Sequence, residues 1–232
     1  MRYKKESLNK MEDNSFEKRV LFAFKLGEKD HMESLINDGV IYMNSVLHFK
    51  DSAQDGRKDP FEGASIVKNG VPVEYRDNIE KEKVFCMWHI NNFTEPKGKG
   101  VSVDYYSDSM CEITVDTREY VNEFAGGNSD NLRVVAIHNM KEFHKRLREA
   151  FRRNSINRYD MGEIKYYNPN ESSAINVSKY MKPDTLRHQN EIRYYAYNSD
   201  SKPLIIKIGN MSDIATIQRV CEIKIKLPYT IV

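Results

Sequence analysis

Short apolar runs closed by Gly, Pro, Asn or Asp recur along the whole chain, while only one stretch has the length and period of a substantial helix. That pattern narrows the fold sharply. Parallel strand pairs need crossovers of about a dozen residues or more, usually helical, and too few are present for a doubly wound sheet. The runs are Val20 to Gly27, Val40 to Asn44, Val84 to Ile90, Cys111 to Val115, Leu132 to Ile137, Glu163 to Tyr167, Glu191 to Tyr197, Pro203 to Ile208 and Cys221 to Leu227. Asn69-Gly70 between two apolar triplets signals a hairpin, and Pro72 confines its second strand to an edge. The long helix spans Met140 to Asn154, with Phe143, Leu147, Ala150 and Phe151 at helical spacing. Shorter helices are predicted after Asp30, where Met32, Leu35 and Ile36 form a stripe and Gly39 the stop, after Asp116 as far as Gly126-Gly127, and near Ala174 to Met181. The expected fold class is therefore α+β, a largely antiparallel sheet with short peripheral helices.

A length of 232 residues suits one domain, placed at 19–232, behind a polar arm from Met1 to Lys18. No internal repeat or low-complexity tract interrupts it. The formal charge is +2, from 36 Lys+Arg against 34 Asp+Glu, which argues against a dedicated nucleic-acid coat. No run reaches the roughly eighteen apolar residues of a membrane helix, and Met1 leads into Arg2, Lys4 and Lys5 without an apolar segment, so neither a span nor a secretory signal is expected. Cys86, Cys111 and Cys221 are dispersed and form no CxxC pair, so neither a disulfide framework nor a zinc site is expected, and a reducing cytoplasm is the natural compartment.

Phosphate-loop, complete GxGxxG, HExxH and GxSxG signatures are absent. His138 and His144 read as structural, and no metal site is proposed. Lys141, Lys145, Arg146, Arg148, Arg152 and Arg153 crowd the long helix, as a solvated face or as a phosphate-contacting one. Near the end, Arg187-His188-Gln189-Asn190-Glu191-Ile192-Arg193 places Gln189 and Glu191 two apart at the start of a strand, where alternation would send both to one face. A carboxylate and a carboxamide converging there can bind a sugar hydroxyl and orient a second substrate. Asp59 and Glu62, in Asp59-Pro60-Phe61-Glu62-Gly63, fit helix caps or turn formers equally well, so the loop is open to being a lid, a turn or part of a site.

The strand-helix-strand opening from Leu21 to Ser45, the Asp59 to Gly63 loop, the Val84 to Trp88 strand and the Gln189 to Arg193 element together resemble a widespread bacterial and phage family known as a domain of unknown function. The same layout is similar to the ADP-ribosyltransferase superfamily, in which a late Q/E-x-E element carries the catalytic glutamate. The resemblance implies a split antiparallel sheet gripping NAD, ADP-ribose transfer to a protein or nucleic-acid acceptor, and a setting in toxin or phage-conflict biology. It implies Glu191 and Gln189 as catalytic residues, Glu191 on the nicotinamide ribose and Gln189 facing the acceptor. Tyr42, Asn44 and Ser45 would lie at the nicotinamide end, and Lys25, Arg57 or Arg193 at the pyrophosphate. The superfamily's first strand usually carries His or Arg, whereas here it reads Phe22-Ala23-Phe24. Either Lys25 or Arg19 takes that role, or the chain is a catalytically silent module for a nucleotide-like ligand or a partner protein on the same fold.

Overall fold

Apolar side chains on both faces of a strand bury it in the middle of a sheet, and β1 (Val20–Glu28) meets that condition, with Ala23 in one core and Phe24 in another. The computed structural model describes residues 20–51, 59–91, 101–107, 110–120 and 130–228. The arm expected before β1, with Arg19, lies outside them. After β1 come α1 (Lys29–Asp38), β2 (Val40–Ser45), α2 (Val46–Asp51), β3 (Ala64–Lys68), β4 (Val71–Tyr75) and β5 (Glu82–Asn91). The middle of the chain gives β6 (Val101–Ser107), β7 (Met110–Asp116), β8 (Leu132–Ile137) and α3 (Met140–Arg153). The remainder is β9 (Tyr159–Glu163), β10 (Lys165–Tyr167), β11 (Ile175–Asn176), β12 (Met181–Pro183), β13 (Glu191–Tyr197), β14 (Leu204–Lys207), β15 (Ala215–Arg219) and β16 (Glu222–Pro228). The architecture is α+β and mostly antiparallel; among the described pairings only β10 with β12 is parallel.

The main sheet runs β14-β2-β5-β1-β8-β15, with β13 on the other edge of β5 and β9 beyond it. Both β1 and β2 share one edge of β5. Phe24 pairs with Trp88 at one end, Asn44 and Ser45 pair with Val84 and Lys83 at the other, and neither strand pairs opposite Phe85, Cys86 and Met87. The sheet therefore splits there, and Lys25 Nζ fills part of the break by donating to the Cys86 carbonyl at 2.7 Å.

α1 and α3 cover one face, where Leu35, Ile36, Phe143, Leu147 and Phe151 pack on Ile192 and Tyr194. The sheet β16-β7-β6 covers part of the opposite face through Ile113, Val115 and Ile223. α3 forms where its stripe predicts, capped by the Asn139 side chain, which accepts from the Glu142 amide at 3.1 Å. Its basic residues are largely engaged locally. Lys145 and Arg146 pair with Glu142, Arg146 also with Asp213, and Arg153 donates to the Lys207 carbonyl.

The hairpin turn is as expected: Asn69 and Gly70 both take positive φ, 49° and 74°, and β4 lies at an edge. Ala174 to Met181 is not a helix. Ile175 and Val177, two apart, both turn toward the Ala64–Val67 cluster, so extended backbone buries them better than a helix would. The nearby helical turn is a 3-10 helix over Asp184–Gln189. After Asp116 the described chain has one 3-10 turn, Thr117–Tyr120, and the expected continuation to Gly127 lies outside the described residues. No helix among the described residues is long and apolar enough to cross a membrane.

His144 is buried on α3 with Nε2 2.8 Å from the Tyr194 hydroxyl, and burial, helped by Arg148, lowers its pKa to about 4. The unfolded chain takes up this proton near the ordinary histidine value of about 6.5, so His144 withdraws stability as pH falls through that window. His144→Phe should remove this contribution. In urea unfolding at pH 7 and pH 5, the stability of wild type relative to the variant should fall at the lower pH.

Candidate functional site

The split between β1 and β2 opens into a cavity of about 1080 Å³. Phe24, Leu26, Met32, Leu35, Phe85 and Trp88 supply apolar wall, and Trp88 stacks at a tilt on Phe24, with ring centroids 4.8 Å apart. Asn44, Ser45, Gln189, Glu191, Lys182 and Asp59 supply the polar part. Strand alternation explains the placement. In β13 the buried Ile192, Tyr194 and Ala196 face the helices, so Glu191 and Arg193 face the other way, beside their register partners Trp88 and Cys86.

A buried ion cluster lies behind this polar wall. Arg193 is 2% exposed; its Nε pairs with Glu191, and its two terminal nitrogens grip Glu62 at 2.8 and 2.7 Å. The same guanidinium also reaches the Tyr195 hydroxyl and the Lys179 carbonyl, at 3.1 and 3.3 Å. The second oxygen of Glu191 accepts from Lys182 Nζ at 2.6 Å, and that ammonium also reaches Gln189 Oε1 at 2.7 Å. Backbone chemistry sets up the loop end. Asp59 Oδ1 accepts from the Phe61 amide at 2.9 Å, and the Asp59 carbonyl accepts from the Glu62 amide at 2.9 Å, a side-chain-stabilised turn entered through Pro60. Gly63 closes it at φ +83°, where an added Cβ would crowd Ile79 and Val46 at 3.1 to 3.2 Å.

Burial and charge in the cluster shift the pKa of three of its members. Burial alone would raise the Glu191 carboxyl, but Arg193 and Lys182 overcome it and hold the group ionised, well below the usual carboxylate range. Burial also opposes the Arg193 charge, yet Glu191 and Glu62 raise its pKa well above the ordinary value. Asp59 goes the other way: burial first, then Glu62, raise it to about 6 against the smaller opposing pull of Lys182 and Arg193. Burial pushes the Cys86 thiol up to about 12, so it is no thiolate nucleophile at neutral pH. Among the described residues no His, Cys, Asp or Glu group has the geometry of a metal site.

Of the residues singled out in sequence, Lys25, Tyr42, Asn44, Ser45, Gln189, Glu191 and Arg193 all line this cavity, and Arg57 lies outside the described residues. Their local roles differ from expectation in several respects. Gln189 is not a strand residue; it ends the 3-10 helix, Asn190 follows at φ 37°, and Gln189 meets Glu191 through the shared Lys182 ammonium. The Arg193 guanidinium is committed to protein acceptors and so is not poised for a pyrophosphate, and Lys25 donates to the Cys86 carbonyl with its ammonium over the Phe85 ring. Ser45 Oγ accepts from the His48 amide at 3.2 Å and caps α2. Glu191, implied as a catalytic residue, is also held in two buried ion pairs and so carries part of the fold. Lys182, which joins Gln189 to Glu191, carries no signal in its own Met-Lys-Pro segment.

Comparison of the chain with family profiles, curated proteins and solved structures yields no match.

Removing one partner of a buried ion pair leaves an uncompensated charge and costs about 3–5 kcal/mol. Glu191→Ala should therefore lose stability on that scale in urea unfolding, well beyond a typical surface substitution.

Proposed function

We propose that the protein is a nucleotide-binding module whose cavity takes a ligand of the NAD class. The observation that carries this reading is the cavity of about 1080 Å³ between β1 and β2, with aromatic and apolar walls and a carboxylate, a carboxamide and hydroxyls on its polar side. Pockets of roughly 300–1,000 Å³ enclose drug-sized ligands, burying flat apolar groups on such walls while a few polar groups fix orientation. After its two ion pairs the Glu191 carboxylate keeps lone pairs for a ribose hydroxyl, and Asn44 adds an amide donor and acceptor. The break in the sheet beside β5 supports reading the fold as ADP-ribosyltransferase-like.

Transfer of ADP-ribose to a macromolecular acceptor is the second reading, favoured by the fixed ionisation of Glu191. A negative charge there would stabilise the oxocarbenium-like state as nicotinamide departs. The same charge is already balanced by Lys182 and Arg193, and the first strand offers Phe22-Ala23-Phe24 where the superfamily has His or Arg. Binding therefore ranks above turnover.

Isothermal titration with NAD and with ADP-ribose tests the reading, and mass spectrometry of free nicotinamide with cell lysate as acceptor separates its two forms. Both ligands should bind, Asn44→Ala should weaken them, and nicotinamide should not accumulate. Nicotinamide release matched by ADP-ribose on an acceptor, both abolished by Glu191→Gln in a folded variant, would establish the transferase instead. Failure of both ligands to bind would overturn both readings.

A further inference from the structure

Among the described residues, each carboxyl of the buried cluster forms an ion pair except one. Glu62 spends both oxygens on Arg193, and Glu191 divides its oxygens between Arg193 and Lys182. Asp59 is 4% exposed and lines the cavity; its Oδ1 takes the Phe61 amide, and no described residue engages its Oδ2. Among the described residues, the groups around it come from several elements. Glu62 lies on its own loop, Lys182 on β12, Arg193 on β13 and Tyr167 on β10. α2, whose Phe49 carbonyl accepts the Asp59 amide, brings His48 and Asp51 to the cavity wall. With both cations already matched by Glu62 and Glu191, the Asp59 charge has no counter-ion of its own among the described residues.

A buried carboxylate with no ion pair of its own among the described residues, opening on a cavity with aromatic walls, is complementary to a flat cation, which gains from both the charge and the ring faces. A phosphate there would instead add negative charge beside three carboxyls. Resting on the nucleotide reading above, we propose that Asp59 anchors the positively charged head group of the ligand, a pyridinium ring of the oxidised nicotinamide kind, and so selects a cationic ring over a neutral one. A cation favours the ionised carboxyl, and Asp59, raised to about 6, is partly protonated below neutrality. Binding therefore releases a proton, and affinity rises with pH through about 6 before levelling.

The test uses 1-methylnicotinamide, a permanent cation, against neutral nicotinamide, followed by NMR chemical-shift titration of the full chain at pH 5 and pH 7.5, with ADP-ribose titrated alongside. A charge-assisted contact predicts a preference of roughly tenfold for the cation at the higher pH, shrinking at pH 5 and absent in Asp59→Asn. Thermal melting confirms that the variant folds; if it does not, the pH series on the wild type decides. Equal affinity for the two rings, a preference that survives Asp59→Asn or ignores pH, or no binding of either ring overturns the proposal. ADP-ribose binding without a cation preference removes the Asp59 anchor and leaves the nucleotide reading. A cation preference with binding of neither ADP-ribose nor NAD keeps the Asp59 anchor and removes the nucleotide reading.

Discussion

The Arg193 guanidinium holds the site together. It is buried on a central strand, grips Glu62 across 131 residues of sequence, pairs with Glu191 on its own strand and reaches the Lys179 carbonyl ahead of β12. Desolvating such a group costs several kcal/mol, and its partners return that only when the hydrogen bonds are complete. Here they are nearly so, with five hydrogen bonds from one guanidinium. The benefit of such an arrangement is placement more than net stability. It fixes where the Asp59–Gly63 loop docks, and hence which carboxyl is left to face the cavity.

The division of labour within the cluster follows from that docking. Glu62 spends both oxygens on Arg193 and Glu191 is held ionised by its two cations, so both are largely spent on the framework, while Asp59 is left with burial and a repelling neighbour. Carboxyl environments driven apart in this way separate structural groups from those able to exchange a proton near neutrality. The cavity itself arises from a different constraint. β1 and β2 compete for the same edge of β5, and the three residues between their ladders are left to side chains such as Lys25.

Elements with strong local signals were legible in the sequence. β1, β5 and β13 announce themselves as apolar runs, α3 by its stripe and Asn139 cap, and the hairpin by Asn69-Gly70, because the physics involved spans only a few residues. α2 was not legible: Val46 to Asp51 is a single short turn capped by Ser45. The Ala174 to Met181 stretch reads as helical but is extended, because tertiary burial of Ile175 and Val177 overrides local preference. The ion cluster was the least legible feature. Its members come from 59–62, 182 and 191–193, and nothing local marks Lys182 as the partner of Glu191. Gln189 and Glu191 do converge, though through that lysine and not through strand alternation.

A double-mutant cycle between Glu62 and Arg193, using Glu62→Gln and Arg193→Gln with urea unfolding, tests the organising role of this ion pair most directly. Groups that act as one network show coupling of about 0.5–3 kcal/mol, and the bidentate, buried geometry places this pair in the upper part of that range. Effects that add within about 0.5 kcal/mol would mean the two side chains act independently, and the docking of the loop by Arg193 would have to be abandoned.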